Sequence, residues 1–398
     1  MPDELETMLR AQRLDFTQPP LAAITARARV LRRRRRAAQV GTVALGLLVA
    51  ASFLIPRLIP REAPPPQVAA SPSAAPGAVY TGGGITINGL PALPRDLPGK
   101  IQDAEFIDAD RGFLLTVDCA AACTAWVNAT LDGGRTWSTA QAPGAFRSPP
   151  RGALPSLVVT GSRITLLGAD GARASSTDGA DWDTASQPAT TVDALPGDAR
   201  LVLRDGRLMA LLHDGTTLVQ PPAQPPLGLA WVAPVRAGDG SWWVGGADGG
   251  HPAVAVSRDG GVTWRPTTFP GGGGTAQVSF LGRDVYAALT DPTTTPPTLL
   301  GVASSSDGGA NFGQPRPLTA TTIGGDLVPL LDGRLVIVDG DSHWLVSTDR
   351  GATWQRVQGL HPTKRLSRTQ TGWVAYEMST IYTAYSVDGT TWQKLDAQ

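Results

Sequence analysis

One short pattern recurs six times in this 398-residue chain: Ser or Thr, any residue, Asp, any residue, Gly, then Thr-Trp after a one-residue spacer. The copies centre on Asp132, Asp178, Asp259, Asp307, Asp349 and Asp388. They close on Trp137, Trp182, Trp264, Phe312, Trp354 and Trp392. The copies at Asp178 and Asp388 are one residue short, and the fourth ends in Phe312 instead of tryptophan. Successive aspartates lie 46, 81, 48, 42 and 39 residues apart. A self-similar period of about 40–50 residues means that one supersecondary unit is being stacked on itself.

Each unit repeats the same internal order. Ala104-Glu105-Phe106-Ile107 leads to Gly112–Val117, then to Ala125-Trp126-Val127, then to the motif. Near the C-terminus, Gly372–Tyr376 is followed by Tyr382–Tyr385 and again the motif. Runs of four to eight apolar, β-branched and aromatic residues between Gly, Asp and Pro predict short strands. Several short strands per unit predict an all-β chain, a propeller of seven blades, with six as the alternative. The 81-residue gap predicts a seventh unit with an eroded motif, carried by Leu201–Leu212 and His213-Asp214-Gly215. Asp followed by Gly is turn chemistry, since the carboxylate accepts from N–H groups just downstream and Gly tolerates positive φ. The closing aromatic supplies an apolar plate. All twelve motif residues are therefore read as structural.

The pattern resembles the Asp-box, or BNR repeat, of sialidase-like β-propellers, over about 300 residues from near Ile101 onward. The resemblance implies that the box joins the third and fourth strands of each blade, away from the ligand face. The enzymes of that family clamp a substrate carboxylate with three arginines and use a tyrosine–glutamate pair and an aspartate acid/base. They also carry F/Y-R-I-P ahead of the first box. Here the nearest string, Phe146-Arg147-Ser148-Pro149, departs at the third position and follows the first box. The propeller holds only two glutamates, Glu105 and Glu377. Tyr376 adjoins Glu377 on a strand, where neighbours face opposite ways; Tyr382 and Tyr385 lie across the next turn. Asp103, Asp108, Asp110 and Asp205 fall outside the boxes, with nothing to select a catalytic pair. The expectation is a non-catalytic protein- or glycan-binding module with no cofactor and no metal. The alternative is an exo-sialidase-like or other glycoside hydrolase.

The N-terminal part differs in kind. Residues 1–61 carry eleven arginines against Asp3, Glu4, Glu6 and Asp15, a surplus of seven positive charges. The chain is neutral overall, so residues 62–398 carry seven net negative charges. Residues 37–56 contain no charge and are long enough to cross a bilayer as a helix. The run Arg32–Arg36 directly before them leaves residues 1–36 in the cytoplasm and sends the rest outward. A cleaved signal peptide is disfavoured by the long polar lead and the want of a small-x-small site directly after the apolar run. Residues 3–14 read as a short helix, residues 57–79 as a Pro/Ala/Ser-rich linker, and residues 80–398 as the extracytoplasmic propeller. This predicts a single-pass cell-membrane protein whose monomeric propeller meets an envelope protein or glycan. Its acidity disfavours nucleic acid and other polyanions.

Cys119 and Cys123 flank Ala120-Ala121-Ala122 at a hairpin tip, and in an oxidising compartment a local disulfide is expected. The histidines are scattered singly at 213, 251, 343 and 361 and read as ordinary surface or strand residues. The Gly271–Gly274 run reads as an inter-strand loop, and Trp242 and Trp243, which alternate faces, read as core residues, with an exposed contact for one of them as the alternative.

Overall fold

The computed structural model describes residues 78–89, 97–119, 122–149, 154–168, 171–186, 188–377 and 382–396. The expected cytoplasmic segment 1–36, the expected span 37–56 and nearly all of the expected linker lie outside them. Among the described residues no helix is long and apolar enough to cross a membrane.

Among those residues the chain forms seven sheets, six of four strands and one of six, in chain order around a ring. Blade 1 is typical: Lys100–Phe106 innermost, then Gly112–Asp118, Thr124–Thr130 and Ser138–Gln141 outermost, all antiparallel. Blades 2, 4, 5 and 6 repeat this order over residues 156–185, 228–268, 275–322 and 328–356.

The core is distributed. Seven clusters of buried apolar side chains each lie between two neighbouring blades, including one between blades 7 and 1. Both faces of a blade are thus covered, which is how two tryptophans on alternate faces can both be core, as the sequence reading expects. Trp242 and Trp243 point to opposite faces, yet both are buried, Trp242 against blade 3 and Trp243 against blade 5.

The ring closes in two ways that the repeats do not announce. Arg365–Arg368, Trp373–Glu377, Tyr382–Ser386 and Thr391–Asp396 form blade 7. Ile85–Gly89 then pairs parallel to Thr391–Asp396, and Val79–Gly82 adds outside it. Ile85 and Ile87 join the core between blades 6 and 7, so the N-terminal strands are part of the last blade. At the axis, Gly325 bridges Leu366 in parallel, with Leu366 N–H donating to Gly324 O at 2.9 Å and Asp326 N–H to Leu366 O at 2.8 Å. Gly325 has φ +95°, and a Cβ there would meet Leu366 O at 1.9 Å, so only glycine allows the contact.

Blade 3 is the exception. Arg200–Arg204 and Arg207–Leu211 form a hairpin around Asp205-Gly206, both at positive φ as a tight primed turn requires. Leu218–Gln220 follows, and the outer position is filled from upstream by Thr190–Thr191, paired parallel. The seventh unit therefore exists, but its motif is not an eroded copy of the others. His213-Asp214-Gly215 sits between the second and third strands, and no third-to-fourth hairpin exists for a box to close. The chain leaves Gln220 through Pro221-Pro222 instead, and the Gln224 amide pairs with Leu208 in place of a strand, accepting at 2.8 Å and donating at 3.0 Å.

Candidate functional site

The six motifs lie in the connections from third to fourth strand. In the long form, Asp132 accepts from Thr136 N–H at 2.7 Å and its hydroxyl at 2.6 Å, while Gly134 N–H donates to Thr130 Oγ1 at 2.7 Å. Asp259 and Asp349 repeat the pattern with Thr263 and Thr353, and Asp307 repeats it with Asn311. In the short form, Asp178 accepts from Ala180 and Asp181, and Asp388 from Thr390 and Thr391. The lost residue brings the indole back over its own turn: Trp182 Nε1 donates to Gly179 O at 3.1 Å and Trp392 Nε1 to Gly389 O at 2.8 Å. These bonds favour the ionised carboxylate. The Thr263 hydroxyl and N–H hold Asp259 down at about 2, and the Thr353 N–H does the same for Asp349. Ser305 and Asn311 hold Asp307 well below the usual range.

Each motif aromatic plugs the seam with the preceding blade. Trp137 packs between blades 7 and 1, Trp182 between 1 and 2, and Trp264 between 3 and 4. Phe312 serves blades 4 and 5, Trp354 blades 5 and 6, and Trp392 blades 6 and 7.

The opposite face is where a ligand finds room. In each blade the inner strand starts, and the second strand ends, on the face away from the boxes. The links between blades and the second-to-third-strand loops therefore crowd around one mouth of the axial channel. There a cavity of about 1080 Å³ opens, with Lys100, Leu154, Pro296, Ile323, Lys364 and Glu377 in its wall. Cys119 lines it too, and the Cys119–Cys123 disulfide, expected from the sequence, pins the blade 1 loop at this rim with Cα atoms 4.0 Å apart. The volume and the mix of apolar and charged wall suit a segment of several residues.

Below the mouth the channel is lined with buried charge. Arg200 Nη2 meets Glu105 Oε1 at 2.9 Å, both side chains 8% exposed, tying blade 3 to blade 1. Asp103 accepts from the N–H groups of Ala104 at 2.9 Å and Leu157 at 3.0 Å, tying blade 1 to blade 2. Asp326 accepts from Trp231 Nε1 at 3.1 Å and Arg368 N–H at 2.8 Å, tying blade 6 to blades 4 and 7. Burial pushes all three carboxyls upward, although Arg200 and Arg365 pull the other way. Tyr376 is buried and bonded to Arg365, and burial pushes its phenol up to about 12.

The sequence reading named Asp103, Glu105 and Tyr376 without a reason to join them; the ring brings them to one channel. It does not bring Glu377 beside Tyr376: Glu377 lines the mouth while Tyr376 packs between blades 7 and 1. Tyr385 is core, stacked on Phe106 with centroids 5.0 Å apart. Asp108 binds Arg111 in a turn, Phe146 is buried, and Arg147 is exposed. Arg200, Asp326 and Arg368 were missed, although a charge inside an apolar run, as at Glu105, is a legible sign of a buried partner. Among the described residues His343 is the one histidine that joins a possible ligand group: Asp339, Asp341 and His343 bring ligand atoms within 4.8 Å of one another. Asp339 is already engaged there by the N–H groups of Asp341 and His343, both at 2.9 Å, and by the His343 ring at 3.1 Å. The group thus reads as a loop staple.

No protein-family model matches the sequence, and no curated protein matches it. The seven sheets around the ring make the chain a seven-bladed β-propeller, and solved structures are similar to it along most of their own length. YCF48 bound to D1 peptide is 18% identical, covering 76% of this chain and 83% of that one at a TM-score of 0.33. YCF48 from Cyanidioschyzon merolae is 14% identical, covering 80% and 99% at 0.44. BamB from Moraxella catarrhalis is 15% identical, covering 76% and 92% at 0.45.

Proposed function

We propose that this protein is a membrane-tethered, extracytoplasmic propeller that docks a segment of a partner protein at the channel mouth without chemistry of its own. The observation that carries the reading is the cavity of about 1080 Å³ on the face free of boxes, walled by Lys100, Lys364 and Glu377 together with Leu154, Pro296 and Ile323. Backbone at a channel rim offers hydrogen bonds, the apolar wall offers burial, and the charges select a partner. The anchor is supported by the uncharged residues 37–56 behind Arg32–Arg36. A disulfide at the rim fits an oxidising compartment. Against a glycosidase, the channel carboxylates are already bonded between blades, and a phenol at about 12 is a poor nucleophile near neutrality.

The test is site-specific photo-crosslinking of the full chain in its own membrane. A photoreactive residue at Leu154 or Lys364 is expected to capture a discrete protein partner, and one at Leu131 or Val387 on the box face is not. Capture only from the box face, or from neither, would overturn the reading. A reporter fused after Gln398 that is active only in the cytoplasm would overturn the topology.

A further inference from the structure

We infer that the segment accepted at the channel mouth is acidic: it brings a carboxylate to Lys100 and Lys364 and an apolar side chain to Leu154 and Pro296. The inference rests on docking at the mouth as proposed above and names the chemistry of what docks. Lysine occurs three times in the 398 residues, at 100, 364 and 394, and two of the three stand in the wall of the one cavity of about 1080 Å³. The fold sets these two at corresponding places. Lys100 opens the inner strand of blade 1, and Lys364 directly precedes Arg365–Arg368, the inner strand of the neighbouring blade 7. Both therefore lie at the mouth end of adjacent strands, and both are exposed.

Among the described residues no acceptor meets Lys100 Nζ, and Lys364 Nζ reaches the Gly340 carbonyl alone, at 3.2 Å. The other charges of the wall are spent. Arg365 is bonded to Tyr376, Glu377 is only 7% exposed, and Asp118 is engaged in a polar contact of its own. The charge left for a ligand is thus cationic, and its complement is a carboxylate. Lysine suits a carboxylate carried by an adaptable segment, because an ammonium on a flexible stem follows its partner where a guanidinium demands a fixed fork. Where the rest of the wall is open it is apolar: Leu154, on the link into blade 2, and Pro296 and Pro297, in the blade 5 loop, are half-buried. The mouth therefore has two parts, cationic on blades 7 and 1 and apolar elsewhere. The seven net negative charges of residues 62–398 set the limit on size. A long polyanion meets repulsion beyond the rim, whereas a short acidic stretch with apolar neighbours engages the mouth alone.

The experiment is selection of a phage-displayed library of random nonapeptides on the full chain in detergent micelles, read by sequencing what is retained. Retained peptides are expected to pair Asp or Glu with Leu, Ile, Val or Phe, with acidic residues enriched at least threefold over the unselected library. They are expected to bind Lys100→Gln/Lys364→Gln at least tenfold more weakly, and Arg283→Gln, in the first hairpin turn of blade 5 on the box face, unchanged. Lys100→Glu/Lys364→Glu is expected to select basic peptides instead, a gain that a misfolded chain does not imitate. Peptides that crosslink to a photoreactive residue at Leu154 yet show no acidic enrichment would overturn this inference and leave docking at the mouth standing. Acidic enrichment that survives the charge reversal would do the same. Retention of no peptide at all would overturn both.

Discussion

The seam between blades 6 and 7 and the seam between blades 2 and 3 are built from the same kind of strand, yet they are closed differently. Between blades 6 and 7, Trp392 is fully buried, meets Trp344 edge-on at 5.3 Å, and hydrogen-bonds its own turn. Trp373, Ile85 and Ile87 complete that cluster. Between blades 2 and 3 no motif aromatic is present, and the buried cluster is Val158, Val202, Met209, Leu211 and Leu218. A cavity of about 230 Å³ lies along it, lined by Leu154, Leu167, Val202 and Leu218. The difference teaches what the motif does. It joins two strands of one blade through its aspartate, and through its aromatic it fills the gap to the blade before. Where blade 3 has no third-to-fourth hairpin, the seam behind it loses its plug. Long-range bonds compensate: Arg200 reaches past that seam to Glu105 on blade 1, and Arg173 donates to Thr216 O at 2.6 Å.

The sharpest way to break this comparison is Trp392→Ala. Removing a fully buried indole is expected to destabilise the propeller by about 3–5 kcal/mol in urea unfolding followed by tryptophan fluorescence. A loss below 1 kcal/mol would show that the motif aromatic is not the plug. Next comes Glu105→Ala, which leaves the buried Arg200 without its hydrogen-bond partner and is expected to cost about 3 kcal/mol. Glu105→Gln should cost less, and equal losses would argue that the pair does not brace the weak seam. Met209→Ala on that seam should cost only about 2 kcal/mol, because the site is already loosely packed. In the same spirit, hydrogen exchange should be faster at Leu201 and Val202 than at Val336 and Ile337, since local opening starts where buried contacts are few.

The smallest effect is the pH profile, where the box and channel carboxylates act with opposite sign. The box aspartates titrate lower folded than unfolded, so the unfolded chain binds more protons below about pH 4, and the stability they contribute is lost as pH falls toward 2. Glu105 titrates higher folded than its ordinary value of 4.5, so the folded chain holds the proton more tightly. That contribution is present at acid pH and is lost as pH rises above about 4.5. Urea midpoints across pH 3–9 should therefore pass through a maximum on the acid side of neutrality. Glu105→Gln should flatten the alkaline limb and leave the acid limb in place; a flattened acid limb instead would show that the two sets had been assigned the wrong roles.

Much of this was legible before any fold was known, and the reasons are local. The Asp-Gly turn needs only residues within four positions of one another, so six boxes and the one 81-residue gap between them announce seven blades. The same holds for the strand runs around Gly112–Val117 and Gly372–Tyr376, and for the Cys119–Cys123 pair across one hairpin. What was not legible depends on closure. That Val79–Gly82 and Ile85–Gly89 belong to the last blade shows only once the last strand of blade 7 offers them an edge. Which neighbours bury Trp242 and Trp243 is decided only when blades 3 and 5 close on either side of them.

The amino-acid sequence by itself determined the repeating unit, its turns, the number of units within one, and the rim disulfide, because each rests on contacts between near neighbours along the chain. Only the tertiary structure decided which charges meet. Glu105 and Arg200, or Asp326, Trp231 and Arg368, come from blades far apart in the chain. A ring of seven blades alone brings their inner strands to one axis, where burial leaves a charge no choice but to find a partner.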